Sequence, residues 1–200
     1  MPSIRLLALV PIAAFCLFST VSPAEAAPKK KYHFQLAAVT AKPQVKADVG
    51  KAATPRVEGQ VKKAFASHPQ LVSKLDGAPE PKADPRAAEA FRKYLAKKGI
   101  AGAYLVTVEI TEATEEVVPM EGKPSSQRFV IHLGVHLLGE TIPGRTMGFT
   151  GDGSATIKQE IGKKLRDRDR EYSWDQAAEV AIADAMATVF KQLAIPPKKQ

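Results

Sequence analysis

The sequence predicts a domain of the α+β class, with the element order β-α-α-β-β-β-α and a mainly antiparallel sheet that has its helices packed on one face. Several segments of nine to eleven residues alternate apolar and polar side chains, which is typical of strands with one buried face. Other segments repeat apolar residues at helical spacing. The last strands follow one another without an intervening helix, which favours antiparallel hairpins.

Residues 1–26 have the layout of a cleavable secretory signal peptide. Arg5 supplies the basic start, sixteen uncharged and mostly apolar residues follow, and Ala24 and Ala26 stand at the positions that a signal peptidase reads. A membrane anchor is the alternative, but sixteen residues are fewer than the roughly 20 that span a bilayer as a helix. We therefore predict an exported protein, located in the bacterial periplasm or secreted.

Cys16, the only cysteine, lies inside this leader. Phe15 precedes it, whereas lipid attachment requires a small residue at that position, so lipidation is not expected. The mature chain then has no disulfide, no thiolate metal ligand and no cysteine nucleophile. Because exported animal domains are commonly disulfide-bonded, this composition favours a bacterial envelope.

The first strand and the first helix are predicted near the mature start. Residues 32–40 alternate as a strand does, and residues 41–53 form a polar connector. Thr54 and Pro55 then open a helix, because threonine caps free backbone N–H groups and proline fits the first turn. The dipeptide at 68–69 ends this helix.

The second helix is predicted between Asp84 and Gly99. Asp84 and Pro85 repeat the pattern of a cap followed by proline, and Gly99 is a helix stop. Its apolar face consists of Ala87, Ala88, Phe91, Tyr94 and Leu95. The chain then turns directly into a strand at residues 103–111.

A hairpin and a last helix are predicted for the rest of the chain. Residues 128–138 and 145–158 are the two strands, joined by a turn flanked by glycines. Residues 163–171 alternate in charge sign and are interpreted as a solvated loop or a frayed turn. The last helix begins with a capping box formed by Ser173 and Gln176, and its many alanines allow its backbone to approach the sheet closely.

The formal net charge is +8, and much of it lies in two tails. Residues 27–31 and 195–200 are predicted as basic tails on a single domain at residues 32–194. Their lysines are Lys29, Lys30, Lys31, Lys198 and Lys199. The body lacks the basic stripe with interleaved aromatics that a nucleic-acid-binding domain shows, so nucleic acid is not an expected partner. The tails are interpreted as solvated, and contact with anionic lipid or polysaccharide is the alternative.

His132 and His136 have the spacing that binds zinc on a helix. They alternate with apolar residues, however, and so belong to a strand. Four residues along a strand span about 13 Å, too far for both rings to hold one metal at about 2 Å. We predict a structural or solvent-facing role for both, opposite Thr107 and Glu109.

Other residues that suggest chemistry have simpler interpretations. Gly148, Gly151 and Gly153 lack the lysine of a phosphate loop and the spaced acids of a calcium loop, so a bulge or hairpin twist is predicted. Glu115 and its neighbour Glu116 are interpreted as solvated edge charges, and Trp174, the only tryptophan, as a core residue. No catalytic residue, metal ligand or cofactor site is predicted.

The chain resembles the fold family of the TolB N-terminal domain, which includes curli-export lipoproteins and lipoproteins that activate penicillin-binding proteins. The resemblance lies in element order, and it covers the segments at 32–40, 55–65, 87–110, 128–155 and 177–193. It implies an envelope protein that works by binding other proteins and has no catalytic residues. This chain lacks the lipid-attachment cysteine of the lipoprotein members.

These observations predict a non-enzymatic adaptor or assembly module of the cell envelope. Its expected binding surfaces are an edge strand of the sheet and the charged segment within residues 163–171. The basic residues assigned to partner binding are Lys163, Lys164, Arg166, Arg168 and Arg170. Two alternatives remain: a polyanion-binding module that uses the lysine-rich tails, and an enzyme whose site is assembled from distant residues.

Overall fold

A computed structural model describes residues 30–82, 84–123 and 125–196. Within these ranges the chain forms β1 (Lys31–Ala41), α1 (Ala47–Ser67), β2 (Leu71–Val72), α2 (Pro85–Lys97), β3 (Ile100–Pro119), β4 (Gln127–Thr141), β5 (Met147–Ile161) and α3 (Asp167–Gln192). The α+β class and the element order are confirmed, with one addition, the two-residue strand β2. The predicted leader at 1–26 and Lys29, Lys198 and Lys199 lie outside the described residues.

The strands of the described chain form one sheet in the order β2-β1-β3-β4-β5. The longest pairings, β3 with β4 and β4 with β5, are antiparallel. β1 pairs in parallel with both of its neighbours, β2 and β3. Parallel neighbours need a crossover connection, which α1 supplies between β1 and β2. The sheet is therefore mixed, and antiparallel over its greater part.

One face of the sheet is covered by α1 and α3, and the main core lies between them and the strands. Its fully buried side chains include Phe34, Val57, Val61, Val106, Ile131, Leu137 and Ile182. Trp174 is 1% exposed, so its predicted place in the core is confirmed.

The second helix, α2, packs on the opposite face. Ala103 and Tyr104 are consecutive in β3, so their side chains point to opposite faces. Tyr104 packs against Phe149 in the main core, whereas Ala103 is buried with Phe91 and Leu95 of α2 in a separate small core. The prediction that all helices share one face is therefore wrong for α2. The narrow apolar stripe of α2 covers only one end of this second face.

The predicted start of α1 at Thr54 is wrong, because the helix begins at Ala47 and contains Pro55. Val49 and Ala53, in the segment assigned to a connector, are buried in the main core. The Thr54 hydroxyl donates to the carbonyl oxygen of Gly50 at 2.8 Å. Packing of the first two turns therefore outweighs the hydrogen bond that the proline removes.

The start of α3 also differs from the prediction. The helix begins at Asp167, so the segment at 163–171 is partly helical and Ser173 lies inside the helix instead of capping it. The buried Ser173 hydroxyl donates to the carbonyl oxygen of Asp169 at 2.9 Å, and its oxygen also lies against the side-chain amide of Gln159. Asp167 and Asp169 stand in the first turn, where the helix dipole favours negative charge.

The backbones of β5 and α3 are nearly in contact. A Cβ atom on Gly153 would lie 2.1 Å from the carbonyl oxygen of Ala181, and one on Gly151 would lie 2.6 Å from that of Ala185. The close approach expected from the alanine-rich helix is confirmed. The bulge predicted around these glycines is confirmed at Gly148, which has no partner in β4 because the register shifts between the pairs Gly139–Phe149 and Glu140–Met147. Gly151 and Gly153 lie in regular register with β4.

This contact predicts the effect of adding one methyl group. We expect Gly153→Ala to lower the free energy of unfolding by about 1–3 kcal/mol, because the helix backbone must move to admit it. Gly59→Ala is the matched control, because its Cβ would meet nothing within 4 Å and alanine favours α1 by about 0.5–1 kcal/mol. Urea unfolding of the purified variants measures both. Equal stability of Gly153→Ala and the original protein would contradict the contact.

Candidate binding surface

The two edges of the sheet differ in how their backbone groups are satisfied. At one edge β5 pairs only with β4. At the other edge β2 pairs with only two residues of β1, Tyr32 and His33. Within the described part of the chain, residues 34–41 of β1 therefore have a strand neighbour on the β3 side alone.

The β5 edge is protected by side chains of α3. The backbone N–H of Thr150 donates to Gln192 Oε1 at 3.2 Å, and the N–H of Ser154 donates to Asp184 Oδ2 at 3.2 Å. Charged residues, Asp152 among them, also lie exposed along this strand. A partner strand would have to displace two side chains and meet several charges, which are known defences of edge strands.

The β1 edge lacks both defences. Residues 35–41 read Gln-Leu-Ala-Ala-Val-Thr-Ala and contain no charged side chain. Ala37 and Ala38 are exposed, and among the described residues no side chain is hydrogen-bonded to the backbone of this stretch. It does contain a third device that limits pairing at edge strands, a bulge, because the register shift between Leu36 and Ala38 leaves Ala37 without a partner in β3. The four residues after it, 38–41, pair in regular register with β3. This stretch of β1, residues 35–41, is called the open edge below.

A cavity of about 440 Å³ lies beside the open edge, between β1, α2 and the loop at residues 73–81. Gln35 and His33 line it from the sheet. His33 is buried, and its Nδ1 donates to the carbonyl oxygen of Val72 at 2.7 Å. Burial lowers the pKa of His33, and the hydrogen bond to Val72 opposes this shift. We call this space the loop cavity.

A second groove, of about 790 Å³, lies on the other side of α2. The start of β3 forms the floor of this groove. This part of β3 precedes Tyr104, the first β3 residue that pairs with β4, where its partner is Thr141. Arg92 and Arg145 stand on its walls, and Arg145 pairs with Glu140 at 2.8 Å. Ile142 lines both this groove and the loop cavity.

The predicted basic patch is divided by the fold. Arg170 forms a two-pronged ion pair with Glu115, and its Nη2 lies 2.6 Å from Oε1. This hydrogen bonding raises the pKa of Arg170. Arg166 pairs with Asp169 at 2.7 Å, which lowers the pKa of Asp169. Of the five predicted partner-binding residues, Lys163, Lys164 and Arg168 are exposed with no ion pair to the described residues. A role of this patch in partner binding stays a prediction.

Glu115 is not the solvated edge charge that the sequence suggested. Its carboxylate accepts hydrogen bonds from Arg170 and, at 2.9 Å, from Trp174 Nε1. A register shift between Ile110 and Glu112 reverses the alternation of β3, so that Glu115 lies on the face covered by α3. The sequence carries no direct signal for this bulge.

The paired histidines lie on the face of the sheet opposite the main core. His136 stands opposite Glu109 in β3, as predicted, whereas Thr107 pairs with Leu138 instead of a histidine. His136 Nδ1 lies 2.6 Å from Asp152 Oδ1, and His132 Nδ1 lies 2.9 Å from the hydroxyl of Thr156. Within the described ranges, no cluster of three or more His, Cys, Asp or Glu side chains is arranged to hold a metal ion.

No protein-family model matches the sequence, and no curated protein matches it. The fold is similar to that of several solved bacterial proteins. A hypothetical protein from Chlamydia trachomatis has 12% identity and a TM-score of 0.45, with 83% of this chain and 99% of that chain covered. A neuraminyllactose-binding hemagglutinin homologue from Helicobacter pylori has 13% identity and a TM-score of 0.44, with 86% and 92% covered. Rare lipoprotein B from Shewanella oneidensis has 12% identity and a TM-score of 0.42, with 80% and 98% covered.

Three of the similar structures are described as a rare lipoprotein B, a minor lipoprotein and a putative lipoprotein of bacteria. Identities of 7–13% and TM-scores below 0.5 carry no conclusion about location or function. Membership of the TolB N-terminal-domain family stays a prediction. In the described part of the chain, no helix has the length and apolarity needed to span a membrane.

The ion pair of Arg170 predicts that two neighbouring arginines differ in their contribution to stability. We expect Arg170→Ala to lower the free energy of unfolding by about 1–3 kcal/mol, because Glu115 then loses its charged partner on the face covered by α3. Arg168→Ala, the control, should change it by less than about 0.5 kcal/mol, because Arg168 is exposed. Thermal and urea unfolding test both. If the two variants are equally stable, the ion pair has no structural role.

Proposed function

We propose that the protein is an exported module of the bacterial cell envelope that binds another protein and catalyses no reaction. In this proposal the open edge accepts an extended segment of the partner as an additional strand. Main-chain hydrogen bonds provide the affinity in this mode of recognition, and side-chain pockets provide the specificity.

The observation that carries this proposal is the contrast between the two edges. The β5 edge has two backbone N–H groups satisfied by α3. The open edge is uncharged and, on the side away from β3, has neither a strand nor a side chain bonded to it among the described residues. Outward-pointing N–H and C=O groups on an edge strand are a template for another strand. The open edge is also long enough, at residues 35–41, for several main-chain hydrogen bonds.

The location in the envelope is supported by the sequence of residues 1–26. An apolar run of this length, with small residues before the expected cleavage point, is typical of an exported precursor. The single cysteine lies within that segment, so the mature protein folds without disulfides. We propose the periplasm as the location.

The leader assignment predicts the N terminus of the mature protein. We expect protein isolated from its native cells to begin at Ala27, because Ala24 and Ala26 are the small residues that signal peptidase requires. Mass spectrometry of the intact protein from the envelope fraction measures this. Ala26→Leu should leave the precursor uncut. Native protein that still carries residues 1–26 would contradict export with cleavage.

The open edge predicts where a partner lies in the cell. We expect a photo-crosslinking amino acid at Gln35 or Thr40 to capture one defined envelope protein in intact native cells, and the same group at Thr156 of β5 not to capture it. Ala38→Lys should abolish the crosslink, because a charge on the strand opposes pairing. Ser154→Lys adds the same charge on the β5 edge and should leave the crosslink intact.

Circular dichroism of the two lysine variants controls for folding, because both positions are exposed. Capture that is equal at β1 and β5, or that survives Ala38→Lys, would contradict binding at the open edge. Recovery of salt-labile lipid or polysaccharide alone would favour the polyanion-binding alternative.

A further inference from the structure

We propose that the loop cavity holds a large apolar side chain of the strand that pairs with the open edge. This inference rests on the proposed function, and it adds the feature by which one partner is distinguished from others. The occupant is an uncharged extended segment of another protein, with an aromatic residue or leucine at the end that lies next to Gln35.

The position of the cavity follows from the place where β2 ends. Val72 is the last residue of β2, and its partner is His33 of β1. The chain after Val72 leaves the sheet as the loop at 73–81. The open edge begins at Gln35, two residues after His33 in β1. A partner strand at the open edge would thus start where β2 stops. The loop cavity, which Gln35 lines, lies at this junction.

Six of the twelve residues that line the cavity are apolar, and the other six, including Ser73 and Gln35, are polar or charged. Its apolar walls are formed by Leu75, Ala78, Pro79, Pro81, Phe91 and Ile142. Phe91 is 2% exposed and belongs to the small core beneath α2. The His33 ring nitrogen nearest Val72 is already engaged, so it is not available to a polar ligand. Charged groups, Lys74, Asp76 and Glu80, lie in the loop and are exposed.

The orientation of a strand side chain fits this position. Side chains of a strand alternate between the two faces of a sheet. Phe34 points into the main core, so His33 and Gln35 point to the opposite face, where the loop cavity lies. Every second residue of an added strand shares that face. One of them, placed beside Gln35, is directed at the cavity, while its neighbours pair with the uncharged backbone of residues 36–41.

The size of the cavity also fits a side chain. A volume of about 440 Å³ is within the range of about 300–1,000 Å³ that pockets for ligands have, and it exceeds the volume of one aromatic side chain. A free small molecule would fill the cavity but leave the backbone of the open edge unpaired. A strand with an apolar anchor satisfies both features together, which is why we assign the cavity to the partner segment.

The experiment uses a phage-displayed library of nine-residue peptides, selected on the purified full mature protein. We expect the enriched peptides to be uncharged and rich in β-branched residues, with one aromatic residue or leucine near one end. Fluorescence anisotropy of a synthetic enriched peptide then gives its affinity. Replacing the anchor residue by alanine should weaken binding at least tenfold, because burial of a large apolar side chain is lost.

Two variants of the protein separate the edge from the cavity. Ala38→Lys should abolish binding of both peptides. Ala78→Phe, which fills the cavity from the loop, should remove the preference for the anchor and leave the weaker binding of the alanine peptide unchanged. Ser73→Phe serves the same purpose from the other end of the loop, in case the first variant alters the fold.

The outcomes are distinguishable. Peptides that depend on Ala38 but show no anchor preference would overturn the cavity assignment and leave the proposed function intact. If the original protein binds every peptide no more tightly than the Ala38→Lys variant does, both the cavity assignment and the proposed function are overturned. A dimer in sedimentation velocity that Ala38→Lys dissociates would make a second copy of this chain the occupant of the edge, and would also overturn the assignment to another protein.

Discussion

The close contact between the backbones of β5 and α3 determines much of the remaining architecture. It exists because Gly151 and Gly153 face Ala181 and Ala185, so that no side chain separates the strand from the helix. With α3 held at this distance, Gln192 and Asp184 reach the outer N–H groups of β5. The protected edge is therefore a consequence of glycine and alanine at facing positions. Without this contact, both edges of the sheet would be open.

At the other end of α3, an ion pair fixes the first turn of the helix to β3. Arg170 and Trp174 both donate to Glu115, which stands on the covered face only because β3 contains a bulge after Ile110. Alternation read from the sequence places Glu115 and Glu116 at a solvated strand end, and nothing in the local sequence marks the extra residue. The same bulge explains why the charged segment before Ser173 is helical: its arginine has a partner 55 residues away. The capping box of Ser173 and Gln176 therefore placed the start of α3 too late, because a local pattern does not include a contact with a distant residue.

The four longer strands, the order of the elements other than β2 and the alanine-rich contact with the sheet were predictable, because each rests on periodicity within a short segment. The start of α1 was not, since burial of Val49 and Ala53 extends the helix through a segment with polar composition. The place of α2 on the opposite face was not predictable either, because the right-handed crossover rule fixes it only when β1 is known to lie between β2 and β3. For the candidate surface, the sequence indicates that an edge strand is available but not which one. That distinction appears only when Gln192 and Asp184 are seen above β5 and β2 is seen to end at Val72.

The asymmetry of the edges bears on function because an unprotected edge has a physical consequence. An exposed, uncharged strand promotes pairing with any suitable chain, including aggregation, and proteins commonly prevent it with lysine, proline or a covering side chain. This chain applies covering side chains at β5 and leaves residues 35–41 without charge, although lysines flank that stretch at Lys31 and Lys42. Moving one of these lysines inward by a few positions would protect β1 without disturbing the core, since Ala37 and Ala38 are exposed. An edge that is simple to protect and is left open supports a role in binding, and the loop cavity at its start gives such binding a means of selecting its partner.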